Sequence, residues 1–482
     1  MQVTSPSSTQ LKKITAPGPR GLPIIGNLPI IGPYPYLTFT DLAKKYGDVF
    51  QIRIFSQPVV VLNRLETIRE ALLKQQGDFA GRPDFFTLRK AVKGRAIGGR
   101  EYGLPWKRHR EIAINALHMF VTSKTASIEQ TVMQEATELV NILLSYQSQP
   151  FDPTMEVNLS VANVMVKILF GERCNRDDQD FIAFTKFAKD FPQNSGGALL
   201  ADFMPETRIF FETFGQGLYR WRNALDKLEK FVVKKLKECR DSYNPKNLRG
   251  MVDALLKAVN ELDESEKQTL GFTEKVIVEG TPQEMMGTGL QPIAPLICWA
   301  MLYMMANPDI QIKVHQELDT VVGRERQVCL TDRKKLPFTE ACIHEILRHA
   351  PSFPLALPNA TTTDTTINGH FIPKDTAVFI NLYGLTRDER YWKEPEKFNP
   401  YRFLTDIGEV REDLLDKYYP FGLGKRRCLG EYLGRIEIFT FITNLMQKCT
   451  FERVPGEKLS FEGTPGAIFM PKDFKVIIKP RF

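Results

Sequence analysis

The chain has 482 residues, 43% of them hydrophobic and 25% charged. That ordinary globular usage excludes a collagen-like, a wholly disordered or a multi-span membrane chain, and the length points to one large domain or two lobes. The 64 Lys and Arg residues against 57 Asp and Glu leave a net charge of +7. It is spread along the chain rather than gathered in a tail, so it favours an acidic partner or a membrane surface slightly and argues little for nucleic acid.

Met1 to Gln10 is polar and does not read as a signal peptide, and no run approaches the roughly 20 apolar residues of a membrane span. Residues 1–15 therefore read as a polar segment without an anchor. Residues 16–36, APGPRGLPIIGNLPIIGPYPY, hold six prolines and four glycines. They read as a stiff hinge that excludes regular helix and central strand. From Val49 to Phe55, Phe50, Ile52 and Ile54 alternate with Gln51 and Arg53, and Pro58 to Asn63 is rich in Val; both predict strands, paired with each other. Apolar residues recur at three- and four-residue spacing from about 105 to 350, which predicts a helical bulk. Residues 240–250 and 261–267 read as exposed loops or charged helix faces. Beyond Pro351, prolines and glycines recur, with short strands at Ala377 to Leu382 and Phe474 to Ile478 and a helix over Cys428 to Leu445. The expected fold is mainly α with a smaller β-rich part, an α+β arrangement whose strands come from both chain ends.

Seven cysteines, Cys174, Cys239, Cys298, Cys329, Cys342, Cys428 and Cys449, are far apart, odd in number and without a CxxC pair. That pattern argues against a disulfide framework, a zinc finger or an iron–sulfur site. Cys428 differs in its setting, Phe421-Gly-Leu-Gly-Lys-Arg-Arg-Cys428-Leu-Gly430. Glycines let backbone N–H groups approach sulfur, and nearby cations with a following helix N-terminus lower a thiol pKa, leaving an anionic ligand. The alternative for this residue taken alone is a buried structural cysteine beside a turn.

Phe421, Gly424, Arg426, Cys428 and Gly430 resemble the FxxGxRxCxG signature of the cytochrome P450 superfamily. Glu345 and Arg348 in HEILRH resemble its ExxR, and Phe398 to Phe403 its FxPxRF; the order and spacing also match. The resemblance covers nearly the whole chain and is greatest to the microsomal group of family 1 aryl-hydrocarbon hydroxylases and steroid 17-hydroxylases. It implies a single haem-thiolate domain over residues 37–482, with haem b between a long kinked central helix and the cysteine loop. Cys428 would be the axial iron ligand. Trp106 and Arg110 of WKRHR would reach one haem propionate and Arg426 the other, since the arginine fork suits a carboxylate; without the cysteine signature, WKRHR would read as an exposed basic face. Glu345 and Arg348, i, i+3 on a helix, would join Arg402 in a buried ionic cluster; an isolated ExxR fits a solvated pair of ~0.3–0.5 kcal/mol equally well. Phe421, Gly424 and Gly430 would be structural.

The same resemblance implies a lipophilic substrate, electrons from NADPH through a flavoprotein reductase, and the cytoplasmic face of the endoplasmic-reticulum membrane. Lys107, Arg108, Lys425, Arg427 and Arg435 could form a basic face for the reductase, or be scattered surface charge. Candidate pocket segments are Phe85 to Ile97, Leu199 to Phe214, Met285 to Leu290, Pro351 to Leu357 and Gly466 to Met470. Two positions depart from the family. Asn359 stands where many microsomal relatives have histidine, which alters one propionate contact. In the oxygen-activation motif, Thr288-Gly-Leu-Gln291-Pro292 has Gln291 for the acid and Pro292 for the alcohol, and neither can deliver a proton. Proline at 292 and again at 295 predicts a kink. Either Thr288 and Gln291 position water for protons, or the enzyme is an isomerase or lyase that accepts a hydroperoxide or endoperoxide without a reductase. A third reading is a catalytically silent haem protein that binds a lipophilic ligand.

Overall fold

A computed structural model describes residues 15–91, 93–121, 128–186, 202–203 and 216–482. The hinge is more regular than its prolines predict. Leu28–Ile31 is a short helix and Pro35–Tyr46 a longer one, each with proline in its first turn. There the missing N–H is an unpaired helix-start donor in any residue and the fixed φ is already helical. The exclusion of helix from 16–36 is thus corrected by position: these prolines start helices instead of interrupting them.

The β part is built from both ends of the chain. Strand β1 (Val49–Ile54) pairs antiparallel with β2 (Gln57–Leu62), Val49 opposite Leu62. Strand β3 is Asn359–Ala360, and two further short strands, β4 (Thr365–Ile367) and β5 (His370–Ile372), form a separate hairpin. Strand β6 (Ala377–Ile380) lies parallel to β2 and antiparallel to β3, giving the order β1-β2-β6-β3. A last ribbon joins β7 (Cys449–Arg453) to β8 (Val476–Pro480).

The α part is organised around the Gly280–Ala306 helix, entered through a π-helical turn at Lys275–Glu279. Its residues are apolar on most sides, so most of its surface belongs inside. It packs along Thr154–Phe170, itself buried over most of its length, and touches Glu431–Lys448 and Pro337–His349. By length and apolarity Lys275–Ala306 is a run capable of crossing a membrane. That corrects the expectation that no such run exists, but its burial inside the fold makes it a core helix. Helix continues through Pro292 and Pro295 to Ala306, so the two missing N–H donors, where the sequence predicts a kink, do not end it.

Candidate active site

The cysteine loop begins after Tyr419-Pro420 and ends where Gly430 caps the Glu431–Lys448 helix. Cys428 N–H donates to the Phe421 carbonyl at 2.9 Å, closing the loop on itself. Gly424 has φ +72°, and a Cβ there would lie 2.1 Å from the Leu72 carbonyl oxygen, so both conformation and clearance demand glycine. Gly434 is small for another reason: a Cβ would sit 3.1 Å from the Phe421 ring and 3.5 Å from Ile293 of the central helix. Gly430 is different, since a Cβ would meet no protein atom within 4 Å; the chain's own packing gives it no steric role.

Cys428 is the exposed cysteine, Cys329 is half-buried, and Cys174, Cys239, Cys298, Cys342 and Cys449 are buried. Exposure and enclosure coexist at Cys428. Its thiol is reachable, yet protein surrounds it closely enough that burial pushes its pKa up, against the pull of the Gly430 N–H, Arg110 and Arg427. The lowering anticipated from the cations is therefore outweighed in this chain by desolvation. A thiolate at this position needs a further positive partner, which a metal ion supplies.

Arg110 Nη2 donates to the Arg427 carbonyl at 2.6 Å, which brings the WKRHR helix, Leu104–Val121, against the loop. Arg426 lies over the Trp106 ring with 4.4 Å from Cζ to the centroid. Its nitrogens donate to the carbonyls of Ala80 (2.8 Å), Ile97 (3.3 Å) and Arg100 (2.7 Å). The indole N–H of Trp106 donates to the same Ile97 carbonyl at 2.9 Å. Backbone carbonyls of Ala80, Ile97, Arg100 and Arg427 thus take the donors that the resemblance assigns to propionates.

A residue not anticipated from the sequence joins them. Arg82 donates to the carbonyls of Gly98 (2.7 Å), Leu357 (3.1 Å) and Pro358 (2.8 Å) and to Asn359 Oδ1 (2.8 Å). Asn359, at the family's histidine position, is held in turn through Nδ2 by the Phe79 carbonyl at 2.7 Å. The available signal was a lone arginine in the otherwise turn-rich and aromatic stretch Gly77 to Phe86.

Burial lowers the pKa of all three guanidiniums. Arg82 falls well below its ordinary value, with Arg426 adding to the effect; Arg426 comes down to about 10, with Arg110 adding to it; and Arg110 is also lowered. Glu284, on the central helix, is the carboxylate that opposes them in each case. Three desolvated, mutually repelling cations with one shared carboxylate form a cradle short of negative charge. The buried Arg100 Nη1 at its edge has no hydrogen-bond partner. A thiol ligand beside a cradle that lacks anions is the donor set a dicarboxylate iron porphyrin fits.

The ExxR pair sits deeper, on Pro337–His349. Arg348 grips Glu345 through Nε–Oε2 (2.8 Å) and Nη2–Oε1 (3.0 Å), and Arg402 Nε reaches Oε1 at 3.0 Å. Arg348 also donates to the carbonyls of Thr386 (2.7 Å) and Pro395 (2.8 Å). Glu345 and Arg348 are fully buried, so the solvated-pair alternative does not apply. Burial alone would raise the Glu345 pKa, but Arg348 and His349 outweigh it and hold the carboxyl at about 2.

Elsewhere the anticipated groupings hold less well. Of the five basic residues, Arg108 pairs with Glu111 and Glu266, and Arg427 and Arg435 both pair with Glu431. Of these five, Lys107 and Lys425 are the two without a carboxylate partner among the described residues, so the set is not an uncompensated patch. In the pocket segments, Met286, Leu290 and Phe469 turn into the core, and Phe85 meets Phe203 edge to face at 4.7 Å; most of Leu199 to Phe214 lies outside the described residues. On the central helix Thr288 is exposed and Gln291 is buried. At i, i+3 they are neighbours on the helix, Thr288 toward the accessible side and Gln291 toward the interior.

The mainly α fold, the buried ExxR cluster and the enclosed cysteine loop define a haem-thiolate protein. The Cytochrome P450 family profile matches residues 16–478, and the chain belongs to that family. It is 38% identical over 454 residues to Cytochrome P450 1A1 of Opsanus tau, 37% over 454 residues to that of Rattus norvegicus and 37% over 453 residues to that of Limanda limanda. Each alignment covers 92% of this chain and 86% of the relative. The chain is accordingly a haem-dependent oxidoreductase of the monooxygenase class, acting on lipophilic molecules.

Proposed function

We propose that the chain, a single catalytic domain over residues 37–482 behind a short hinge, inserts one oxygen atom of O2 into an aromatic, steroid or fatty-acid-like molecule. Electrons would come from NADPH through a flavoprotein reductase, at the cytoplasmic face of the endoplasmic-reticulum membrane. The haem supplies the iron at which oxygen is reduced. Cys428 would hold that iron, Trp106, Arg110, Arg426 and Arg82 its two carboxylates, and Glu345, Arg348 and Arg402 the core behind it. The carrying observation is the enclosed Cys428 beside three desolvated arginines with one shared carboxylate. These side chains would hold the haem carboxylates through charge-assisted hydrogen bonds, about twice as strong as those they make to neutral backbone carbonyls.

Arg82→Ala should therefore speed haem transfer to a haem-scavenging protein by about tenfold, the loss of one charge-assisted hydrogen bond. An unchanged transfer rate would remove Arg82 from the cradle.

Gln291 and Pro292 favour a second reading, a reductase-independent isomerase or lyase acting on a hydroperoxide or endoperoxide, because neither side chain can donate a proton. A side-by-side assay separates the two: NADPH plus reductase on aromatic and steroid substrates, against fatty-acid hydroperoxides alone. Product in the first arm supports the oxygenase, and product in the second alone replaces it. Under the first reading, Gln291→Asp combined with Pro292→Thr should raise product formed per NADPH; no rise with a turned-over substrate would count against the missing pair as the limitation.

A further inference from the structure

The accessible face of the central helix carries a single carboxyl group. Met285, Met286, Gly287, Leu290 and Gln291 are buried, whereas Thr288 is exposed and Glu284, Gly289 and Pro292 are half-buried. A spacing of four places Glu284, Thr288 and Pro292 on one face. Glu284 is the only acidic residue between Gly280 and Ala306, and it lies one turn before Thr288, whose hydroxyl donates to the Glu284 carbonyl at 2.9 Å. With its proton used there, the Thr288 oxygen keeps its lone pairs for a donor.

The Glu284 carboxylate accepts from Ile97 N–H at 2.6 Å and Gly98 N–H at 2.7 Å. The charged groups that face it are Arg82 from the segment after Phe79, Arg110 from the Leu104–Val121 helix and Arg426 from the cysteine loop. Burial raises its pKa; the two N–H groups, Arg82 and Arg110 pull the other way, and burial prevails. Desolvation thus brings its proton exchange closer to neutral pH than that of an ordinary glutamate.

Inserting one atom of O2 into a C–H bond consumes two electrons and two protons, and the second oxygen atom leaves as water. Under the reductase-dependent reading, on which this inference rests, NADPH provides the electrons, and the protons enter from solvent through the protein. Gln291 is buried and its amide does not ionise, and Pro292 has neither hydroxyl nor N–H. We propose that Glu284 supplies these protons, passing them by way of water and the Thr288 hydroxyl and being reprotonated from solvent.

Glu284→Gln tests this with the haem-loaded enzyme and its reductase, since glutamine keeps an acceptor for one of the two amides at 97 and 98 and loses the proton. NADPH oxidation should continue while product per NADPH falls by about tenfold or more, with hydrogen peroxide taking its place. The pH dependence of that ratio should flatten, and Glu284→Asp should restore part of it. Independently of turnover, infrared titration of the resting enzyme should show a carboxylic-acid C=O band that titrates above the ordinary carboxylate range and is missing in Glu284→Gln. A wild-type product ratio and pH profile in Glu284→Gln overturns the proposal. Faster haem loss with an unchanged pH profile overturns it too, leaving Glu284 as a pin for residues 97–98. If the wild-type enzyme forms no reductase-dependent product, the proposed function fails, while the infrared titration still decides whether Glu284 carries an exchangeable proton.

Discussion

Cys428→Ala should give a folded protein that binds haem without a thiolate signature in its ferrous carbon-monoxide spectrum and forms no oxygenated product. The sulfur is exposed, and the loop is closed by the Cys428 backbone N–H to Phe421, which alanine retains. Global stability should therefore change by no more than about 0.5 kcal/mol, as for a surface substitution away from core packing. The two halves of this expectation are separable, because urea unfolding of the haem-free chains reads the loop and the carbon-monoxide spectrum reads the sulfur. A thiolate spectrum persisting in Cys428→Ala would falsify the assignment of this cysteine as the iron ligand.

The second large effect is on folding. Arg348→Ala strips Glu345 of a two-pronged partner in a site with no water access and leaves the Thr386 and Pro395 carbonyls without their donor. A buried pair broken from one side costs about 3–5 kcal/mol, so the variant should unfold at markedly lower urea or fail to accumulate. Arg348→Lys should recover only part, because an ammonium cannot span both carboxylate oxygens. Glu345 adds a pH signature. Its folded pKa of about 2 lies below its unfolded value, so its stabilisation is present above about pH 4.5 and is lost as the pH falls toward 2. In Arg348→Ala that acid limb should shrink, and equal acid sensitivity in both proteins would show that Glu345 is not the group responsible.

How much of this was legible in the sequence depended on whether a feature is local. The β1–β2 hairpin follows from alternation over residues 49–62, and the cysteine loop from glycines and cations within ten residues. The central helix reads as apolar throughout, and its interior prolines Pro292 and Pro295 are visible in the sequence, but that helix runs on past both to Ala306 depends on tertiary packing that no local window contains. Arg82 and Asn359 are separated by 277 positions, so no window holds both, and no periodicity marks a single arginine before a proline. Glu284 was missed for a simpler reason. The pocket was expected to start at Met285, on an apolar criterion that passes over an acid, although the acid is what distinguishes that face. The cation lowering expected at Cys428 failed likewise because burial, which the sequence does not display, acts in the opposite direction.

The parallel pairing of β2 with β6 has a consequence for biosynthesis. The edge of β2 that meets Ala377–Ile380 cannot be covered until more than three-quarters of the chain has left the ribosome, and Arg82 and Trp106 wait longer still for Arg426 and Cys428. During that interval the nascent chain presents an unpaired Val-rich strand edge, the kind of surface that recruits other strands. Cofactor capture must then be an event at the end of translation, and a truncation before Cys428 should yield an aggregation-prone polypeptide held by chaperones instead of a partly functional enzyme.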